Sequence, residues 1–452
     1  MTLRRHRRWM APVAVAAAVG FALTGCTGDT ANEDAADTDC ADYEEYGTFD
    51  GAEVTVAGTI LDLEADRLSE SWADFETCTG ISVDYQGSSE FEAQIAVLAE
   101  GGNAPDVGIV PQPGLLNRLA DGGWLIPASQ PVVDNIDEWW DPIWKEYATV
   151  DGEVYAAPLM ASIKGYVWYS PAEFEENGYE IPATLDELTE LSNQIAADSG
   201  HQPWCVGLES GDATGWPGTD WVEDYVLRLS GPEVYDQWVT HGIPFNDPQI
   251  ADAFDAVGQY LKSDDMVNGG IGDVSTQVTE AFQTAGLPIL DGECSLHHQA
   301  SFYETFWNPE GGDANTVASD GTVFAFLLPP EEAGGGLQVT GGGEFPVAFR
   351  DAEEVEAFRT YLSSDLWANN RVGLGGVISA NKGLDPEVAS SELLVQSIEI
   401  LQNPETTFRF DGSDLMPGAV GADSFWKGIV AWVGGEDTAQ VLDTIEASWP
   451  AS

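Results

Sequence analysis

Val54 and Val56 alternate with polar neighbours, and this period of two predicts a strand ending near Ile60. Leu68, Trp72 and Phe75 then recur at helical spacing. Ile81, Val83 and Tyr85 alternate again, Phe91, Ile95 and Leu98 mark a second helix, and Asp106-Val107-Gly108-Ile109-Val110 is a short apolar strand. A strand–helix–strand–helix–strand series is the pattern of a parallel α/β sheet. Ligands of such sheets sit beyond the carboxyl ends of the strands. Those ends fall near Asp62, at Gln86 to Glu90 and at Pro111 to Gly114.

A second block follows Tyr155-Ala156-Ala157-Pro158. Thr184-Leu185-Asp186-Glu187 has the form of a capping box, and Leu185, Leu188, Leu191 and Ile195 continue it as an amphipathic helix. Thr219 is predicted to cap a further helix, with Asp220 at its first position and Val222, Tyr225, Val226 and Leu229 on its buried face. No internal repeat or heptad array is visible. A chain of 452 residues is long for one core and suits two lobes.

The start of the chain has a different pattern. Arg4, Arg5, Arg7 and Arg8 precede an almost wholly apolar run from Ala11 to Leu23, which closes on Leu23-Thr24-Gly25-Cys26. A basic start, a short apolar run and small residues at the end define a secretory signal peptide, expected over residues 1–25. The run is too short to span a bilayer, which takes roughly 20 residues. Its ending also resembles the bacterial lipobox, which implies that Cys26 is diacylated and becomes the mature N-terminus. Residues 26–40 are polar and acidic and are expected to form a disordered tether on the extracellular face of the membrane.

Several short motifs in order resemble a family. Ala104-Pro105-Asp106-Val107, Pro111-Gln112-Pro113-Gly114 and Tyr155-Ala156-Ala157-Pro158, leading to Val167-Trp168-Tyr169-Ser170, are similar to the solute-binding lipoproteins of ABC sugar importers. Gly215 to Asp224, Gln299-Ala300-Ser301-Phe302, Asp414-Leu415-Met416-Pro417 and Ser424-Phe425-Trp426 resemble more narrowly the α-glucoside-binding members of the maltose-binding-protein-like group, extracellular solute-binding family 1. The resemblance implies an α/β, two-lobed periplasmic-binding-protein-like fold of type II, with a central ligand cleft and a hinge. It implies a first lobe of about 41–160 and 336–375 and a second of about 161–335 and 376–452. It further implies a monomer that captures an α-glucoside or disaccharide and hands it to ABC permease transmembrane subunits. Gly341-Gly342-Gly343 and Gly373 to Gly376 lie at or near the implied lobe crossings.

Charge and cysteine content sharpen this picture. Formal net charge is −61, and removing residues 1–25 takes four of 16 basic residues and none of 77 acidic ones, leaving −65. Such a surface repels nucleic acid, whose recognition needs clustered Lys and Arg, and it suggests a salty habitat. With Cys26 lipidated, Cys40, Cys78, Cys205 and Cys294 remain, and an oxidising compartment favours two disulfides with three connectivities open. Cys40–Cys78 and Cys205–Cys294 are preferred, because each pair stays within one implied lobe. A metal site on Cys294, His297 and His298 matches no zinc spacing, and nothing calls for a metal or other cofactor.

A sugar presents hydroxyl rims, which carboxylates and amides bind, and flat C–H faces, which indoles cover. Trp216, Asp220 and Trp221 flank a Pro-Gly turn and a helix start, a suitable arrangement for such a site. Trp426 stands where the resemblance implies a stacking aromatic, and Asp414 is a candidate ligand or turn cap. Lys164 is one of only five lysines and follows the first implied crossing, so it is a candidate donor or a partner of one acid. Glu90 and Gln112 lie at strand ends, His298 and Gln299 follow a disulfide cysteine, and Glu344 stands beside the triple glycine.

The rival class is a secreted glycoside hydrolase, which needs two carboxylates at a fixed separation. Among 77 acidic residues such pairs are inevitable and carry no information. No nucleophile elbow, P-loop, H-E-x-x-H or EF-hand loop is present, so a binding protein rather than an enzyme is expected. A binding protein for another small polar solute is the remaining alternative.

Overall fold

Val54 and Val56 point into a sheet core and are fully buried, as their alternation requires. The computed structural model describes residues 38–270, 273–308 and 314–450. The expected signal segment, Cys26 and the expected tether up to residue 37 lie outside the described residues. Apart from a hairpin at 149–154, the strands in chain order are β1 (Ala52–Gly58), β2 (Ile81–Gly87), β3 (Val107–Val110), β4 (Ala161–Ile163), β5 (Tyr166–Tyr169) and β6 (Trp204–Cys205). They continue as β7 (Val267–Asn268), β8 (Leu296–Gln299), β9 (Phe324–Leu327), β10 (Gln338–Gly343), β11 (Phe345–Ala348) and β12 (Thr407–Phe410).

Three sheets result. A four-stranded sheet has the order β11-β3-β1-β2, with β1 parallel to both neighbours and β11 antiparallel to β3. A five-stranded sheet has the order β9-β5-β8-β6-β7. Strands β12-β10-β4 form a three-stranded sheet, β10 pairing parallel with β12 and antiparallel with β4. Gly341, Gly342 and Gly343 pair with Ile163, Ser162 and Ala161 in its ladder. At Gly341 a Cβ would lie 2.5 Å from the Ser162 carbonyl and 2.4 Å from the Phe408 ring, so close backbone approach requires glycine there.

Helices cover the sheets. The residues predicted as one helix around Leu68, Trp72 and Phe75 form two, α1 (Asp62–Glu70) and α2 (Ala73–Thr79), with Trp72 buried at the junction. Next come α3 (Phe91–Glu100), α4 (Pro113–Asp121) and α5 (Leu185–Ser199). Phe91 and Ile95 bury against the core, but Leu98 is exposed and Ala96 takes the inward position. At α5 the Thr184 side chain accepts from the Glu187 N–H at 3.1 Å, while Glu187 accepts from the Ala183 N–H at 2.7 Å. The box therefore closes one residue earlier than its usual form.

Helix α6 runs over Trp216–Val239 with a break at Gly231, whose φ is +79°, and α7 spans Pro248–Leu261. Thr219 does not cap α6: Gly215, at φ +116°, and Pro217 in the first turn start it four residues earlier. Thr219 instead donates to the Trp216 carbonyl at 2.9 Å. From Pro217 to Arg228 this helix is buried on every side. Among the later helices, α8 (Asp365–Gly373) contacts α1, and α9 (Trp426–Val433) and α10 (Thr438–Glu446) pack on α6 and α7. Disulfides join Cys40 to Cys78 and Cys205 to Cys294. Among the described residues no helix is long and apolar enough to cross a membrane.

Candidate functional site

The carboxyl ends of the four-stranded sheet carry one polar wall. Gln112 ends the loop after β3 and caps α4 with extended backbone, which turns its side chain inward to 4% exposure. Its amide donates to Glu92 at 2.5 Å. Burial pushes the Glu92 carboxyl up to about 7, against the bond it accepts from Gln112. Glu344 precedes β11 at the same end, and burial with the nearby Glu64 carboxyl raises it to about 7. Glu90 does not join this group. It is exposed as the residue before α3, whereas Glu92, two positions on, faces inward.

Lys164 is the centre of the opposite wall. It follows β4 and is 7% exposed. Its Nζ donates to both Asp220 oxygens, at 2.9 and 2.8 Å, and to Asp411 at 3.0 Å. Burial works against the charge on Lys164, but Asp220, Asp411 and Asp414 together hold its pKa well above that of an ordinary lysine. The same ammonium lies 4.6 Å from the centroid of the Trp216 ring, a cation–π contact. Trp216 is half-buried and meets Phe282 edge-on at 4.9 Å and Phe302 at 6.2 Å.

Four carboxyls crowd around this one lysine. Oxygens of Asp220, Glu223 and Asp411 all lie within 4.8 Å of one another. Glu223 accepts from the N–H groups of Gly412 and Ser413, at 2.7 and 3.0 Å. Burial raises Asp220, Glu223 and Asp414 above an ordinary carboxyl, with the Lys164 ammonium opposing the shift. Burial also opposes ionisation of Asp411, but Lys164 and hydrogen bonds to its neighbours bring it down to about 2. The cation position inside this acidic cluster is thus taken by the Lys164 ammonium.

The two walls meet. A Cβ on Gly114 would stand 2.8 Å from the Met416 carbonyl and 2.9 Å from that of Asp414. Glu92 from the first wall adds to the upward shift of Asp414, and Lys164 from the second bears on Glu344. Trp426 opens α9 at 7% exposure with no partner for its ring N–H. A Cβ at Gly215 would come 2.4 Å from the Trp426 carbonyl, so the starts of α6 and α9, with Trp216 and Trp426, are neighbours.

The other candidates lie deeper. Trp221 is 1% exposed and packs against Trp204, Tyr225, Tyr260 and the His298 ring, the last at 4.4 Å. His298 bonds Asp224 at 2.9 Å, and Asp224 also accepts from Arg228 at 2.7 Å and Thr340 at 2.8 Å. Burial lowers the His298 pKa despite that carboxylate, so the ring is neutral. Gly165, at φ +74°, lets the backbone next to Lys164 pass where a Cβ would be 2.5 Å from Asp224. This network therefore supports the segment carrying Lys164. Gln299 turns back to accept from the Ala300 N–H at 2.8 Å. Cys294, being in a disulfide, is not available as a metal ligand.

Sequence reasoning missed Glu92, Glu223 and Asp411, for which no signal stood out among 77 acidic residues.

The buried polar cluster where these two walls meet, beside the half-buried indole of Trp216, is the candidate ligand site. Residues 62–290 match the family of bacterial extracellular solute-binding proteins. The osmoprotective compounds-binding protein GgtB of Synechocystis sp. is 39% identical over 415 residues, covering 91% of this chain and 96% of that protein. The alpha-glucosides-binding periplasmic protein AglE of Rhizobium meliloti is 36% identical over 420 residues, covering 90% and 89%. Among solved structures, the bacterial solute receptor AcbH superposes with a TM-score of 0.72 at 17% identity, over 88% of this chain and 98% of that one. RafE in complex with raffinose gives 0.68 at 18%, with the same coverage. The chain belongs to the bacterial extracellular solute-binding protein family, and its fold is the two-lobed type II binding-protein fold.

Proposed function

We propose that this protein is the substrate-binding lipoprotein of an ABC carbohydrate importer, and that it captures an α-glucoside or disaccharide for a membrane permease. The observation that carries this reading is the meeting of Gln112 and Glu92 with Lys164, Asp220, Asp411 and Asp414 beside the half-buried indole of Trp216. Carboxylates accept from hydroxyl groups and an amide or ammonium donates to them, which suits a ligand whose hydroxyls do both. A face of an indole suits the C–H face of a pyranose. The glucoside assignment is further supported by similarity to AglE, whose name states α-glucosides.

The reading includes lobes of about 41–160 with 336–375 and 161–335 with 376–452, closing as a clamp, and a lipid anchor on Cys26 at the extracellular face. The four-stranded sheet draws its strands from the first set and the five-stranded sheet from the second, which supports that division. A second reading has its own support: GgtB is named for osmoprotective compounds, so a compact polyhydroxylated solute is the competing ligand. Thermal shift and titration calorimetry with maltose, trehalose, sucrose and free polyols separate the two. A ligand at 100 times its dissociation constant adds about 2.7 kcal/mol of stability. Response to glucosides without turnover supports the importer subunit. Response to free polyols alone favours the second reading, product formation means a hydrolase, and inertness to all of them overturns both binding readings.

A further inference from the structure

Arg371 on α8 is fully buried, yet most of its guanidinium has no partner. Nη1 donates to the Gly375 carbonyl at 3.0 Å. Nε and Nη2 have no hydrogen-bond partner, and among the described residues no other buried side chain has two such atoms. Nε–H and one Nη2–H point the same way along one edge of the planar group, opposite the Nη1 side. So the guanidinium is anchored on one side and offers a complete two-donor fork on the other. Leaving buried donors of a charged group unmatched costs more than leaving neutral ones so.

The surroundings of the fork are polar. Glu64 lies on α1, just beyond the carboxyl end of β1, and Glu344 precedes β11 at the same end of the sheet. Both act on Arg371 electrostatically, and Arg67 opposes them, but no carboxylate forms an ion pair with Arg371 among the described residues. Gly376 closes the corner: a Cβ there would be 2.8 Å from Arg67 and 2.6 Å from Thr305. Arg371 is therefore within electrostatic reach of Glu344, which stands at the carboxyl end of the four-stranded sheet.

We propose that Arg371 reads the ligand, its Nε–H and Nη2–H donating side by side to two adjacent hydroxyl oxygens of a neutral sugar while Glu64 accepts from those hydroxyls. The fork spacing that matches a carboxylate also matches a vicinal diol. The acidic neighbours Glu64 and Glu344 select the uncharged diol over an anion. This inference rests on the carbohydrate reading and makes Arg371 a specificity-determining residue of the same site.

Calorimetry on the full-length protein and its Arg371→Lys variant decides it, using maltose, methyl α-D-glucopyranoside, its four monodeoxy analogues and its uronate. Arg371→Lys keeps the charge and loses the fork, so affinity for maltose should fall about tenfold or more. The melting temperature without ligand should change little, because Arg371 makes a single protein hydrogen bond. Two analogues lacking adjacent hydroxyls should bind weakly to the native protein and lose little further in the variant. Equal losses for every analogue, with a lowered melting temperature, would make Arg371 a structural residue and overturn the proposal. So would an unchanged maltose affinity, meaning that water alone fills the fork, or a preference for the uronate. If the native protein binds none of these glucosides while another solute stabilises it, the carbohydrate reading itself fails and takes the inference with it.

Discussion

Lys164 bonds both carboxylate oxygens of Asp220, at 2.9 and 2.8 Å, in a place where both side chains are buried. Asp220 stands in the second turn of α6, and Lys164 follows a strand of the three-stranded sheet. The pair therefore ties that helix to that sheet. With Asp411 and Glu223 around it, the ammonium is the positive centre of a buried acidic cluster.

Lys164→Met should leave those carboxyls without a counter-ion. Breaking a buried pair by removing one partner costs on the order of 3–5 kcal/mol. The urea midpoint should fall accordingly at neutral pH and recover in part in acid, where the stranded carboxyls can protonate. An unchanged midpoint at neutral pH would mean that the cluster is already neutral without the lysine.

Much of the first sheet was legible because its strands bury one face, so Val54, Val56 and Ile81 announce it by alternation. Helix α6 was not legible in the same way. It is buried all round, so periodicity does not separate Trp216, beside Lys164, from Trp221 in the core. The start of that helix was misread because Gly215 and Pro217 set it, not the hydroxyl of Thr219. Glu90 stands just before α3 and is exposed, whereas Glu92 in its first turn faces inward, and a strand-end argument cannot resolve two residues. Lysine scarcity, by contrast, marked Lys164 before any geometry was known.

Stability should depend on pH with a defined sign. Glu92, Glu304 and Glu344 are raised by burial from 4.5 to about 7 in the folded state. The folded protein then holds more protons than the unfolded one between those values, so stability falls as pH rises through about 7. Asp411 acts oppositely: its contribution is present above 3.8 and is lost as pH falls through about 2. The melting temperature should therefore be higher at about pH 5 than at about pH 8. Glu92→Gln should flatten that slope. A melting temperature that rises from pH 5 to pH 8 contradicts the assignment.

Salt should stabilise the fold. A formal charge of −61 on 452 residues implies self-repulsion, which screening relieves once the Debye length falls below about 10 Å, near 0.1 M. Differential scanning calorimetry from about 10 mM to about 1 M NaCl should show a rising melting temperature. No rise would mean that the acids are too widely spread to repel.

Cys26→Ser should release the protein from the membrane and leave sugar affinity unaltered, since the proposed anchor is separated from the cleft by the acidic tether. Cell fractionation reads the outcome. A variant that loses its signal segment but stays with the membrane would remove the lipoprotein reading.

The two tryptophans beside the cleft and Gln112 opposite them set the last test. Trp216 is half-buried over Lys164, whereas Trp426 is buried at the start of α9, so their truncations should differ. Trp216→Ala removes a platform and uncovers the ammonium, and should cost on the order of 2–4 kcal/mol of sugar affinity, as binding hot spots do. Its far-ultraviolet circular dichroism should remain native. Gln112→Ala removes one polar contact and frees Glu92, and should cost on the order of 1 kcal/mol. Trp426→Ala should weaken binding as strongly as Trp216→Ala if its indole also stacks on the sugar. It should instead lower stability by on the order of 3–5 kcal/mol, with affinity kept, if it only fills the junction of α6 and α9. Titration calorimetry and urea denaturation on the same three variants separate these outcomes. An unchanged dissociation constant for Trp216→Ala would deprive the proposed sugar site of its aromatic face.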